Sequence, residues 1–457
     1  MSTTRGSEEA PDLQVPVPAD RPRLTGGLAP RSWTQGRNRR GTGRRARRVV
    51  ESLFLSIGAG HLEVVGPDDV VRRYGDPGHA LHARIEIHDA QFYARLLHGA
   101  SVGLGESYVR GEWSSPDLVA LIRLLIANRP ALRRIGPAGL AATIVDRLVH
   151  LARGNRPGRA RRNIVAHYDL SNDLYRAFLD SSLTYSAARF EHLGQDLTAA
   201  QRAKLVGIAQ KARLRPGDRV LEIGCGWGAF SLLAAREYGC RVTAITLSEA
   251  QFTHVRDLVE REGLADRIEV RLADYRDIDG TYDRIVSIEM LEAVGHRYLG
   301  MYFRQIDRLL APDGLAVVQV ITLPDQRERA YRARPDFIQR AIFPGGHLPS
   351  LTSMSRAMTR NSRLMVEHLE NIGTHYAETL RHWRERFRAE ERRVRELGFD
   401  DTFVRLWEFY LGYCEGAFLS RYLNDLQIVL TRSGNGTLGT APYSASHAPL
   451  TEHDHLH

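Results

Sequence analysis

The chain has 457 residues, 43% of them hydrophobic and 26% charged, with a formal charge of +9. That length allows two or three domains with ample core, and the apolar share excludes wholesale disorder. Three cysteines, Cys225, Cys240 and Cys414, exclude a disulfide scaffold and point to a reducing compartment.

No apolar run reaches the roughly 18 residues that a spanning helix needs, and the first residues lack a signal-peptide core. The expectation is a cytoplasmic protein, soluble or peripheral at the inner face of the membrane. Residues 1–50 hold eleven arginines against four acids, so +7 of the +9 sits there. Residues 1–48 mix Pro, Gly, Ser, Thr and Arg without periodicity and are expected to form a disordered basic arm. Such an arm is either drawn to anionic lipid or nucleic acid, or merely solvated. The remaining residues are nearly balanced in charge, which argues against a nucleic-acid-binding body.

Residues 49–150 read as a smaller amino-terminal α+β domain. Residues 83–88 alternate as a strand does, and Asp89 precedes a helical pattern over 90–97. Gly103-Leu-Gly-Glu-Ser-Tyr108 reads as a tight turn, and Asp117 as the cap of a helix over 118–128. Residues 151–162 form a basic linker. From 163 to 433 strand and helix patterns alternate, which predicts an α/β domain with a mainly parallel sheet. Residues 434–457 are a Gly-, Ser-, Thr- and His-rich tail in which nothing fixes a metal-binding geometry, and no metal site is expected.

The sharpest motif is Arg219-Val-Leu-Glu-Ile-Gly-Cys-Gly-Trp-Gly228, a buried strand running into glycines and then a helix over 229–238. Closely spaced glycines let backbone approach a ligand, and a helix amino terminus favours polar or anionic groups. Gly224, Gly226 and Gly228 are spaced by two, not in the dinucleotide pattern. With Glu222 before them, they look like the S-adenosylmethionine turn of Rossmann-like class I methyltransferases with a seven-stranded sheet. Asp274 and Tyr275 follow a strand over 268–272, where an acid and an aromatic suit a purine. The strand over 241–247 ends Ile245-Thr-Leu-Ser248, without the ribose-binding acid of that superfamily.

Several ordered blocks carry a closer resemblance. They are His167-Tyr-Asp-Leu-Ser-Asn-Asp-Leu-Tyr175, Leu183-Thr-Tyr-Ser186, the Gly-rich turn, Ile245-Thr-Leu-Ser-Glu-Ala-Gln251, Asp283-Arg-Ile-Val-Ser-Ile-Glu-Met-Leu-Glu-Ala-Val-Gly295 and Phe343-Pro-Gly-Gly-His-Leu-Pro349. With them the chain resembles the cyclopropane-fatty-acyl-phospholipid synthase family, which includes the mycolic acid cyclopropane synthases. The segment 103–108 looks like the amino-terminal lipid-binding domain of the phospholipid-acting members. The resemblance implies that Tyr185 and Ser186 close over S-adenosyl-L-methionine and that Gly224 and Gly226 contact its methionine part. It further implies that Thr246, Leu247 and Gln251 hold its ribose and adenine side, with Asp274 and Tyr275 at the purine.

The implied chemistry is methyl transfer to the double bond of an unsaturated acyl phospholipid, leaving a carbocation in a dry tunnel. Tyr168, Tyr185 and Trp227 are candidates to face that cation. Residues 323–358, with Arg327, Arg329, Arg332, Arg334 and Arg340, are expected to cover the tunnel. In the family the base is a bound bicarbonate, and the resemblance implies Glu292, Ile321 and Tyr376 among its ligands. Two positions depart: Ala187 replaces a cysteine and Gln319 a histidine, so bicarbonate affinity should fall, leaving Glu292 or another carboxylate as the base. Glu289 adds a carboxylate where many relatives carry glycine, either as a catalytic group or as the partner of an arginine. These departures favour a methylene- or methyl-branched product slightly over a cyclopropane ring. Implied partners are the membrane phospholipid, a reductase for the branched product and a second copy in a homodimer. A nucleic-acid methyltransferase recruited through the arm is the distant alternative, and no nucleic-acid partner is expected.

Overall fold

A computed structural model describes residues 40–132, 171–192 and 194–438. The expected linker, most of the tail, His167 and Tyr168 lie outside them. Two sheets organise these residues. The smaller has the order β2-β1-β3-β4, built from β1 (His61–Val65), β2 (Val71–Gly75), β3 (His82–Ile87) and β4 (Trp113–Ser114). β1 pairs antiparallel with β2 and parallel with β3.

The larger sheet has seven strands in the order β10-β11-β9-β8-β5-β6-β7. These are β5 (Arg219–Ile223), β6 (Arg241–Thr246), β7 (Ile268–Leu272), β8 (Tyr282–Ile288), β9 (Leu310–Thr322), β10 (Leu364–Asn371) and β11 (Asn424–Arg432). Only β11 runs against its neighbours. The fold is α/β, a class I methyltransferase sheet with the reversed strand inserted between β9 and β10. β5 and β9 are buried along nearly their whole length because helices cover both faces, so they read as continuous apolar runs. Strand order reverses beside β5, and the crevice beyond the carboxyl ends of β5, β6 and β8 is where such sheets bind ligands.

The amino-terminal sheet shares one apolar core with the Asp401–Leu419 helix. A Cβ on Gly412 would stand 2.9 Å from Leu118, and one on Gly416 2.8 Å from Ile122. The two glycines thus let the Leu118–Ala127 helix lie close against its neighbour. Asp117 caps that helix, accepting the Ala120 amide at 2.9 Å. Asp117→Ala should lower stability by about 1 kcal/mol, read as a lower midpoint in urea denaturation, with S-adenosylhomocysteine affinity unchanged.

Two expectations need correction. Residues 101–109 are not a turn but a helix, Ser101–Val109, in which seven residues are buried. Glycine disfavours helix in isolation, but here Gly103 and Gly105 admit close neighbours. The expected disordered arm overlaps a helix, Arg40–Phe54. Ala46, Val50 and Phe54 recur at a helical spacing and are buried, while Arg47 pairs with Glu51 at 2.8 Å and Asp68 at 3.0 Å. An arginine-rich composition hid an amphipathic face.

Candidate active site

A cleft of about 950 Å³ opens over the Gly-rich turn. Tyr185, Ser186, Glu222, Gly224, Gly226, Thr246, Leu247, Gln251 and Tyr275 all line it. The turn after β5 is fixed by the amides of Gly224 and Cys225, which both donate to the Ile245 carbonyl at 3.0 Å. Gly224 has φ +81°, and a Cβ there would stand 2.9 Å from Met290. Gly226, at φ +53°, has open space where its Cβ would be. Thr246 donates to the Gln251 side chain at 2.7 Å, so the polar pair at the end of β6 is already oriented. Glu222 is buried, accepts the Ser231 hydroxyl, and is pushed up to about 8 by that burial. It is therefore a neutral acid at physiological pH.

Two expected cofactor residues stand elsewhere. Gly228, at φ +91°, begins the Ala229–Tyr238 helix under the turn, and its missing side chain leaves room for Val255 at 3.0 Å. Asp274 grips Arg276 with both carboxylate oxygens and caps the Tyr275–Asp277 turn, between the cleft-lining Ala273 and Tyr275. Trp227 lines the cleft, packed on Tyr175 at 4.8 Å and donating to Asn172 at 2.9 Å.

Lys204 lines the cleft although no motif disclosed it. It is wholly buried and donates to the Ser186 hydroxyl at 2.8 Å. Among the described residues lining this cleft it is the sole cation. Burial lowers its pKa to about 8 against the pull of Glu289, Asp180, Asp425 and Glu222. One compositional signal pointed to it. Only Lys204 and Lys211 are lysines among 63 basic side chains, and both are buried.

A second cavity, of about 1300 Å³, adjoins the first. Its walls are mostly apolar and aromatic, with Tyr331, Phe343, Tyr410, Tyr413 and Phe418 among them, and carry Glu292, Arg327, Asp336 and His347 as well. Tyr185, Glu289 and Ala293 line both cavities and so mark their junction. Tyr185 is held there by Tyr410, hydroxyl to hydroxyl at 2.8 Å. The segment over 323–348 supplies one wall. Arg327 lies against the Tyr422 ring, 3.0 Å from its centre, while Arg329, Arg332 and Arg334 are exposed. Arg340 faces Glu106 at 3.6 Å.

Glu289 closes β8 at φ +49°, a conformation that favours glycine. Its expected arginine partner is not what holds it. Oε1 accepts the Ala187 amide at 2.7 Å and the Gln319 side-chain amide at 2.8 Å, and Oε2 accepts the Tyr376 hydroxyl at 2.8 Å. Gln319 itself is fully buried on β9 and reaches neither cavity, a correction to its place among the groups that meet substrate. It spends one amide proton on Glu289, the other on Asp425 at 2.8 Å, and its oxygen accepts from Gln427 at 3.0 Å. Glu292 lines the second cavity and accepts the Ile321 amide.

The family described as Mycolic acid cyclopropane synthetase matches residues 155–428. The chain belongs to that family. This mycolic acid cyclopropane synthetase homologue is 40% identical over 368 residues to the tuberculostearic acid methyltransferase UfaA1 of Mycobacterium tuberculosis, covering 76% of this chain and 83% of the relative. It is 34% identical over 361 residues to the cyclopropane-fatty-acyl-phospholipid synthase of Escherichia coli, covering 79% and 90%. The crystal structure of the mycolic acid cyclopropane synthase CmaA1 complexed with SAH and CTAB superposes with a TM-score of 0.56 at 33% identity, covering 60% of this chain and 98% of that one.

The chain is an S-adenosylmethionine-dependent methyltransferase, and the cleft suits that molecule. Gly226 leaves room for a ligand against the backbone, and Lys204 with Ser186 offers a cation and a hydroxyl to a carboxylate. Thr246 and Gln251 offer polar atoms for ribose hydroxyls. Among the described residues no helix is long and apolar enough to cross a membrane.

Proposed function

We propose that the enzyme methylates the double bond of unsaturated acyl chains carried by membrane phospholipid, and that it releases a methylene-branched product. The observation that carries this reading is the junction of the two cavities, where a mostly apolar, aromatic-walled chamber meets the cofactor cleft. S-adenosylmethionine supplies an electrophilic methyl group, and its transfer to an alkene leaves positive charge on the chain. Tyr185 and Tyr376 present ring faces and edges to such a charge, and the apolar walls keep water from trapping it.

The product reading rests on the groups around proton removal. A cyclopropane ring forms when the new methyl loses a proton to a base and the freed electron pair closes on the first cation. A methylene branch forms when a 1,2-hydride shift precedes that loss. Ala187 and Gln319 replace the cysteine and histidine of the ring-forming pattern, while the cofactor cleft keeps its residues. A relative named as a methyltransferase rather than a cyclopropane synthase, at 40% identity, supports the same reading. A partner reductase would complete a methyl branch.

Contact with the inner face of the membrane is supported by the Arg40–Phe54 helix, where Arg44, Arg45, Arg48, Val49 and Leu55 beside it are exposed. Basic and apolar side chains on one amphipathic helix suit an anionic bilayer surface.

Ring and methylene products have equal mass, so proton NMR is the test. With oleoyl phospholipid vesicles and S-adenosylmethionine, the vinylic protons of a C=CH2 branch are expected in the extracted lipid. Predominantly shielded ring protons would refute the branching reading. Label from the methyl donor appearing in added RNA and not in lipid would overturn the lipid reading itself.

A further inference from the structure

Three carboxyl groups, Glu289, Glu292 and Asp425, surround the junction of the cavities, and they are not equivalent. Glu289 receives three hydrogen bonds, from Ala187, Gln319 and Tyr376. Glu292 receives the Ile321 amide on one oxygen, and its Oε2 is buried with no hydrogen-bond partner. Asp425 receives one proton of Gln319, and its Oδ1 is likewise without a partner. Donors stabilise a charged carboxylate and their absence favours the acid. Burial pushes Glu292 up to about 8, with the charge on Glu289 adding to it. Burial also raises Asp425 well above the usual range, again with Glu289 adding to it. Burial raises Glu289 too, but the Ala187 amide, the Tyr376 hydroxyl, Lys204 and Gln319 pull it back. Of the three, Glu289 is the one whose donors favour a negative charge.

The backbone agrees. A glutamate at φ +49° is placed where glycine is easier, and such residues persist where the surroundings hold them in place. Of the three acids, Glu289 alone lines both cavities.

We propose that Glu289 is the general base of this enzyme, a carboxylate of the chain occupying the place of a bound anion. This rests on the acyl-methylation reading above. Once the alkene pair has formed the new carbon–methyl bond, a 1,2-hydride shift moves the positive charge onto the methyl-bearing carbon, and a C–H bond of that methyl then breaks. Its electron pair becomes the double bond of the methylene branch, and the proton passes to Glu289, which becomes a neutral acid as the chain loses its positive charge. Oε1 is engaged by two donors and Oε2 by one, so Oε2 keeps a lone pair for that proton. Bicarbonate, which the family resemblance implies, does not fit. The amides of Ala187 and Gln319 and the phenol of Tyr376 already end on Glu289, and a second anion there would compete with it for the same donors.

The test compares wild type, Glu289→Gln and Glu289→Gly on oleoyl phospholipid vesicles, with S-adenosylhomocysteine affinity measured by calorimetry in each. Wild type is expected to turn over equally with and without dissolved bicarbonate. Glu289→Gln should lose roughly 100-fold or more in turnover, the usual worth of a general base, with cofactor affinity within threefold of wild type. Glu289→Gly, whose backbone suits this φ, should recover part of its rate with added formate or bicarbonate, because the vacated donors can then hold a small anion. A bicarbonate requirement in wild type, more than a tenth of wild-type turnover in Glu289→Gln, or no anion rescue of Glu289→Gly would each overturn the assignment. A wild-type enzyme that methylates no acyl chain would instead sink the function proposed above, so the two failures are distinguishable.

Discussion

Lys204→Met is expected to weaken S-adenosylhomocysteine binding by roughly 10- to 100-fold, the size of one charge-assisted hydrogen bond. The side chain is wholly buried, lines the cofactor cleft and donates to the Ser186 hydroxyl at 2.8 Å. That hydrogen bond occupies a lone pair of Ser186 and leaves its own proton free to be donated. Loss of the ammonium thus removes a positive charge and misdirects a hydroxyl together. Folding should survive, because Glu222, pushed up to about 8, is neutral without help from the cation. Lys204→Arg should bind nearly as poorly, since a planar guanidinium cannot reproduce the ammonium's point contact with Ser186. Calorimetric titration of the purified variants decides it. Affinity within threefold of wild type in Lys204→Met, with an unchanged melting temperature, would remove Lys204 from the cofactor site.

What the sequence disclosed, and what it hid, follows from the range of the interactions. The Gly-rich turn was legible because strand, glycines and helix are consecutive, and nine of eleven expected cofactor residues do line one cleft. The two exceptions fail for local reasons: Asp274 meets Arg276 two residues on, and Gly228 serves helix packing. β6 and β7 were legible as the strand patterns over 241–247 and 268–272 that follow the turn. The setting of Glu289 was not, because its donors come from positions 187, 319 and 376 and meet only once β8, β9 and the Gly373–Ala389 helix are assembled. The resemblance flagged those positions separately but left Glu289 with either a catalytic or an arginine-bound role. Helices over 40–54 and 101–109 were missed because arginine and glycine composition outweighed a buried face that depends on distant partners.

That last case carries a large consequence at the acyl cavity. Gly105→Ala is expected to reduce turnover on phospholipid by about tenfold while leaving S-adenosylhomocysteine affinity within twofold, for a stability cost of about 1–3 kcal/mol typical of overpacking. A Cβ at Gly105 would stand 2.2 Å from Phe337 Cδ2 and 2.5 Å from its Cε2. The ring cannot swing aside, since Phe337 is fully buried and meets Phe409 edge-on at 4.9 Å. The added methyl must therefore shift the Phe337–Ala341 helix, which the Asp336 capping box anchors. Ile338 and Gln339 on that helix line the acyl cavity, whereas none of its residues lines the cofactor cleft. The displacement should therefore reach one ligand and spare the other. Phe337→Leu in the Gly105→Ala background removes the clashing ring atoms, so the pair should be more stable than the sum of its single changes. Urea denaturation of the four proteins measures that coupling. Strict additivity, or equal loss of cofactor and lipid binding, would show that the Ser101–Val109 helix does not set the acyl cavity through Phe337.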